Sequence, residues 1–257
     1  MRSPEKPRSS DRGVVTTWGF IPAREHSTRF PHKNSAPFLG EPLVVRAVRV
    51  AEEAQRLGLI DRVVVLTDRW GEVERALQDA EIFSVDERCL IARRPGWLTD
   101  DPQARVIDLV RHCLTARLPD VNWPMPPPWP APDAVCVLLP TSPLRQVRHL
   151  VESYRLLAPG VDVVLSVTPF RQDPRYALED KQDQLILRDE LRGADRLLKH
   201  CGTVIWVLAS HILGGGGFYS GSIRGYPVPP EESADVDTPL DLEYAEWLFL
   251  RKNQGKA

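Results

Sequence analysis

The chain has 257 residues, enough for one large domain with a substantial core. Its 42% hydrophobic content is that of an ordinary globular protein, and its net charge of −2 argues against a dedicated nucleic-acid binder, which carries a basic surplus. No apolar run approaches a membrane span, and the polar start, Met1 to Arg12, reads as a loose tail rather than a signal peptide.

The elements alternate. Val14 to Ile21 reads as a strand and Pro42 to Leu57 as a helix. In that helix Val44, Ala47, Val48, Ala51 and Ala54 share one face, Pro42 fits the first turn and Gly58 can close the end. Val63 to Thr67 is a β-branched run typical of a buried strand, and Gly71 to Ala80 a short helix. Asp100 or Asp101 can cap a helix over Pro102 to Arg117. Ala134 to Leu139 is a further strand, and Ser142-Pro143 opens a helix with Leu144, Val147, Val151 and Tyr154 on one face. Val161 to Val167 and Thr203 to Ala209 are strands, and Thr238-Pro239 opens a last helix.

Strand followed by helix, repeated, predicts an α/β fold: a doubly wound, mostly parallel sheet with its ligand at the carboxyl ends of the strands. The reading is one domain over residues 13–257. Trp123 to Pro132 is too rich in proline for a ladder or a helix and is expected to be an extended insertion. The charged segment 172–200 reads either as an arm that packs on a partner subunit or as a long loop. Cys89, Cys113, Cys136 and Cys201 form no C-x-x-C pair, which suits reduced, mostly buried thiols in a cytoplasmic protein.

Two stretches carry chemistry. After the first strand, Ile21 to Asn34 gathers Arg24, His26, Arg29, His32 and Lys33 against a single acid, Glu25. It contains neither G-x-G-x-x-G nor a P-loop. Arginine grips phosphate oxygens bidentately, lysine acts as a compact charge, and Ser27 adds a donor. Late in the chain, Asp235-Val236-Asp237-Thr238 sets two carboxylates one residue apart. In extended backbone they point the same way, as a shared ion requires, although either can instead serve the following helix N-terminus. Thr238 with Asp241 is a capping pattern, which leaves Asp235 and Asp237 free for metal. Phosphate donors early and a carboxylate pair late suggest an enzyme acting on a triphosphate.

The opening IPAR–S–R–P–KN pattern, from Ile21 to Asn34, resembles that of the cytidylyltransferases that make CMP-activated acidic sugars. The likeness continues in Arg94-Pro95 to Asp101, in Pro140-Thr141-Ser142-Pro143-Leu144-Arg145, in Asp162 to Thr168, and in Asp235 to Leu242, all in family order. The resemblance implies a fold of the nucleotide-diphospho-sugar transferase type and a homodimer. It implies CTP held by Ala23, Arg24, Ser27, Lys33, Asn34 and Arg94, with Arg24 and Lys33 on the phosphates and Arg94 along the nucleoside. It implies Mg²⁺ on Asp235 and Asp237, and an acidic acceptor near Leu139, Thr141 and Ser142. The chain departs from the family at Glu25 and His26, where two glycines are usual, and at Leu139, where glutamine is common. The departures on the acceptor side leave two acceptor classes open, a 2-keto sugar acid or a small phosphonate. Arg171, Arg175, Arg188, Arg192 and Arg196 can receive an anion or form a solvated arm. Two other readings stay open: a nucleotidyltransferase for another base, and a catalytically silent relative.

Overall fold

The computed structural model describes residues 16–25, 27, 29–82, 89–99, 101, 103–115, 131–176, 178–181, 184–187 and 197–254. The N-terminal tail, His26, Asp100, Pro102, most of the proline-rich insertion, and Arg188, Arg192 and Arg196 lie outside these residues.

In chain order the strands and helices are β1 (Thr17–Ala23), β2 (Pro37–Phe38), β3 (Glu41–Pro42), α1 (Leu43–Arg56), β4 (Arg62–Thr67), α2 (Trp70–Asp79), β5 (Cys89–Arg93), α3 (Gly96–Thr99), α4 (Val106–Thr115), β6 (Ala134–Val137), α5 (Val147–Tyr154), β7 (Val163–Pro169), β8 (Leu178–Lys181), β9 (Gln184–Leu187), β10 (Leu198–Leu208), α6 (Ala209–Leu213), β11 (Ile223–Pro227) and α7 (Pro239–Gln254). Among these residues no helix is long and apolar enough to cross a membrane.

Seven strands form one sheet in the order β11-β7-β10-β6-β1-β4-β5. Ladders β1–β4, β1–β6, β4–β5 and β7–β11 are parallel, and only β10 runs against its two neighbours. From β1 the chain winds outward through β4 and β5, then returns to β6 on the other side. The crevice between the carboxyl ends of β1 and β6 is therefore the switch point where such sheets bind ligands.

Burial on both faces explains the near-continuous apolar strands. Ile21, Val63, Val65, Cys136 and Trp206 face the cluster filled by α1, α2 and α5. Their strand neighbours Phe20, Val64, Val135, Val137 and Ile205 face α4 and α6 on the other side. A third cluster joins Phe38 of β2, Leu43 of α1, Leu144, Val236 and Ala245 and Leu248 of α7. It holds the segment carrying Asp235 and Asp237 against the body of the domain.

Several boundaries differ from the sequence-based expectation. The helix expected from Ser142 begins at Val147. Residues 140–145 instead form turns, because Arg145 is drawn inward to bind backbone carbonyls. The helix expected from Pro102 begins at Val106. Asp101 closes a short turn on Gln103 N at 2.8 Å, and Asp108 supplies the N-terminal acceptor to Arg105 N at 3.2 Å. Strands β5 and β11 carry weak sequence signals and owe their form to pairing with β4 and β7. Within 172–200, β8 and β9 pair as a separate two-stranded sheet.

Candidate functional site

Arg24 leaves the carboxyl end of β1 at the switch point. Its backbone carbonyl accepts Asn34 Nδ2 at 2.6 Å, and Glu25 N donates to Asp68 Oδ1 at 2.9 Å just past β4. Glu25, which stands at a usual family glycine, is only 1% exposed. Its Oε1 accepts the Ser35 hydroxyl at 2.9 Å, His32 Nδ1 lies 3.6 Å from Oε2, and its carbonyl accepts His32 N at 3.1 Å. Burial raises this carboxyl above its ordinary value, and the Ser35 hydrogen bond offsets part of the rise. Glu25 thus closes the basic loop on itself where glycine would have let the backbone bend. His32 takes the left-handed conformation, φ 57°, at the turn.

The closed loop leaves its donors on the cleft. Arg24 Nε is buried and has no partner among the described residues. Such an atom is costly unless an anion meets it. Arg94 is also buried, and its Nη2 and Nε donate to Leu98 O at 2.8 and 3.3 Å. Burial lowers its pKa, and the nearby Arg24 lowers it further. Two guanidiniums close enough to repel each other favour an anion between them. Arg94 therefore braces α3 while its charge remains part of the site. Ser27 Oγ accepts Phe30 N at 3.5 Å, and Ala23 is fully buried in β1.

Two groups that sequence reading treated separately meet here. Lys33 Nζ lies 2.9 Å from Asp237 Oδ1, and Arg29 Nη2 lies 3.0 Å from Asp237 Oδ2. Arg29 lies in the basic loop, where nothing in the local sequence distinguishes it from a solvated arginine. Burial would raise the Asp237 carboxyl, but Lys33 and then Arg29 outweigh it and hold it below the ordinary range. Asp235 is exposed to solvent on one side while protein crowds its other sides. That crowding raises its carboxyl; a hydrogen bond from Thr141 opposes the rise, and Asp237 adds to it.

Val236 between them is fully buried, and its N–H binds Thr141 O at 2.8 Å. This places both carboxylates on the cleft side. Asp241 Oδ2 accepts Thr238 N and Oγ1, both at 2.8 Å, and Asp237 N at 3.1 Å, so it caps α7 as its spacing predicts. Among the described residues no group of three or more His, Cys, Asp or Glu side chains is arranged to hold a metal. Two carboxylates, completed by phosphate oxygens and water, fit Mg²⁺ and not a cation that needs a full protein cage.

The loop after β6 is shaped by Arg145. It is buried, and it donates to Thr203 O at 2.5 Å, Leu139 O at 2.6 Å and Gly202 O at 3.4 Å. Burial lowers its pKa to about 10. These bonds fix the loop 139–145 to β10. Thr141 and Ser142 are buried there, Leu139 is half-buried, and Ser142 Oγ has no partner among the described residues. Arg175 binds Asp173 at 2.6 Å, and Arg171 lies over the Tyr244 ring at 4.4 Å.

Comparison with known proteins agrees with this arrangement. A family described as "Cytidylyltransferase" matches residues 18–90, the stretch from β1 to β5 that carries the basic loop. The chain is 27% identical to CMP-N,N'-diacetyllegionaminic acid synthase of Legionella pneumophila, over 89% of this chain and 94% of that one. It is 25% identical to pseudaminic acid cytidylyltransferase of Campylobacter jejuni, over 89% and 94% respectively. The fold is shared with CMP:2-keto-3-deoxy-manno-octonic acid synthetase, solved in complex with CTP. There the TM-score is 0.62 at 18% identity, over 92% of this chain and 99% of that one. With the basic loop, the switch point and the carboxylate pair described, the chain is similar to cytidylyltransferases that form CMP-sugar acids.

Proposed function

We propose that this protein transfers CMP from CTP to a 2-keto sugar acid with release of pyrophosphate. The observation that carries the reading is the meeting of Arg29 and Lys33 with Asp237, next to Asp235, together with relatives named for this reaction. An acceptor hydroxyl oxygen attacks the α-phosphorus in line. The new P–O bond forms as the bond to pyrophosphate breaks, and the hydroxyl proton leaves to solvent. Arg24 and Lys33 offset the charge that builds on the phosphates, and the cleft walls hold the acceptor oxygen in line. Lys33 and Arg29 are paired with Asp237 in the structure, so they are already positioned beside the carboxylates that a triphosphate would approach.

Asp235 and Asp237 would hold Mg²⁺, which supplies further charge compensation on the triphosphate when bound. Their spacing supports this assignment: with Val236 buried between them and bound to Thr141 O, both carboxylates face away from the core on the same side. The same reading makes the protein a homodimer, with the separate β8–β9 hairpin as its arm, and a cytoplasmic enzyme. Four buried free cysteines suit a reducing compartment.

Calorimetric titration with CTP, ATP, GTP and UTP, each with and without Mg²⁺, tests the reading. The expected result is selective CTP binding that strengthens with Mg²⁺. Preference for another nucleotide would move the chain to a different transfer reaction, and no binding at all would make it a silent relative.

A further inference from the structure

A three-residue turn sets where one cation of the basic loop stands. Lys33, Asn34 and Ser35 form a single 3₁₀ turn. Two of the three are anchored to consecutive residues just past β1. Asn34, which is buried, donates from Nδ2 to Arg24 O at 2.6 Å, and the Ser35 hydroxyl donates to Glu25 Oε1 at 2.9 Å. The third, Lys33, donates from Nζ to Asp237 Oδ1 at 2.9 Å and to Val236 O at 3.4 Å. The two anchors therefore fix the place of Lys33 relative to Arg24.

Glu25 is the common point of this anchoring. Its N–H donates to Asp68 Oδ1 at 2.9 Å beyond β4, its carbonyl accepts His32 N at 3.1 Å, and its side chain holds Ser35. One residue thus ties the end of the sheet to both sides of the turn. The carboxyl is 1% exposed, and its Oε2 has no hydrogen-bond partner among the described residues, with His32 Nδ1 at 3.6 Å. Burial raises its pKa; Ser35 and then His32 oppose the rise, while Asp68 and Glu72 add to it. Burying a carboxyl for one hydroxyl hydrogen bond is costly, and a side chain placed only to fill space would be apolar. What the acid supplies is direction, because it holds one end of a turn whose other end carries Lys33.

We infer that Glu25 is a positioning residue for the triphosphate, which acts through the Ser35 hydroxyl to hold Lys33 in register with Arg24 so that both meet one polyphosphate chain. A glycine at this position has no side chain with which to do so. The inference rests on the proposed use of CTP.

Calorimetric titration with CTP and with inorganic tripolyphosphate, each with Mg²⁺, tests it. Glu25→Ala is expected to raise Kd for both about tenfold, the equivalent of one lost hydrogen bond. Ser35→Ala, at a half-buried residue, has an effect of the same kind and carries the test if Glu25→Ala does not fold. The double variant binds no more weakly than Glu25→Ala, since both changes remove one interaction. Glu25→Gln keeps an oxygen for Ser35 and retains most of the affinity. In turnover with N,N'-diacetyllegionaminic or pseudaminic acid, KM for CTP rises while KM for the acid is unchanged. A merely structural role would lower the number of competent sites and leave Kd alone. Unchanged Kd in Glu25→Ala and Ser35→Ala, or additive losses in the double variant, overturns the inference.

Amide hydrogen exchange gives a readout without ligand. Faster exchange at His32, Ser35 and Ala36, whose N–H groups close the turn, is expected in Glu25→Ala with β1 unchanged. Equal protection in variant and unaltered protein overturns the role. If both triphosphates bind and weaken as expected while no acid yields pyrophosphate, the transfer reading fails and the positioning role stands. If CTP turns over with unchanged affinity in Glu25→Ala, the role fails and the transfer reading stands. No binding of either ligand by the unaltered protein overturns both.

Discussion

At the residue scale, one carboxylate holds two cations. Asp237 binds Lys33 at 2.9 Å and Arg29 at 3.0 Å, although more than two hundred positions separate them along the chain. Lys33→Met would remove the charge proposed to offset the phosphates, and kcat is expected to fall roughly 10²–10³-fold, as when a single preorganised donor is lost. Steady-state pyrophosphate release with native-like circular dichroism checks it. Asp237→Ala should likewise abolish turnover while leaving the fold intact, since Val236 and not Asp237 fills the core; near-normal activity would remove the metal assignment. Arg145 gives the contrasting case. It touches three carbonyls and no ligand group, so Arg145→Met should act through stability. Three carbonyls would each lose a donor, and a cost of about 2–4 kcal/mol in urea unfolding is expected. The PTSPLR pattern is visible in sequence as a motif, but that its arginine is a brace and its serine an open hydroxyl follows only from which strand lies beside them.

At the scale of elements, the loop after β6 and the slipped start of β10 act as one unit. Gly202→Ala would force a side chain into positive φ and against Leu139 and Ser142. A loss of about 1–2 kcal/mol in stability is expected, together with weaker acceptor use at unchanged CTP affinity, as measured by unfolding and by the two KM values. The helix expected at Ser142 shows why sequence periodicity misled here. Leu144, Val147, Val151 and Tyr154 do recur at helical spacing, but Leu144 belongs to the third core cluster and Arg145 is pulled into the sheet, so the helix cannot start before Val147. Helix α1 was legible because its apolar stripe, its leading proline and Gly58 all agree, and each residue of that stripe is buried. β11 was not legible: only Tyr226 of its five residues is buried, so no apolar run announces it.

At the scale of the whole molecule, α5, α7 and the turn before the carboxylate segment are locked by one buried cluster. His149 Nε2 donates to Glu232 at 2.8 Å, Lys252 binds the same carboxylate at 2.5 Å, and Arg148 also pairs with it. Burial would raise Glu232, but the hydrogen bonds from Lys252 and His149 outweigh it and hold the carboxyl at about 2, against an ordinary 4.5. Burial keeps His149 neutral, with its pKa below the ordinary 6.5. In both groups the unfolded chain takes up protons that the folded protein does not. Stability is therefore expected to decline as pH falls below about 6.5, through His149, and to decline further from about 4.5 towards 2, through Glu232. Thermal midpoints across this range check it, and Glu232→Gln should flatten the lower limb.

The sequence by itself determined the alternation of strands and helices, because hydrophobic periodicity and β-branched runs are local properties of neighbouring residues. It also carried the resemblance to the cytidylyltransferases, because that likeness rests on short local motifs such as the basic loop and the two carboxylates at i and i+2. Only the tertiary structure decided that Lys33 and Arg29 meet Asp237 and that Glu25 closes the loop through Ser35 and His32. Those outcomes depend on strand order and register, which bring distant residues together, and no spacing along the chain encodes them.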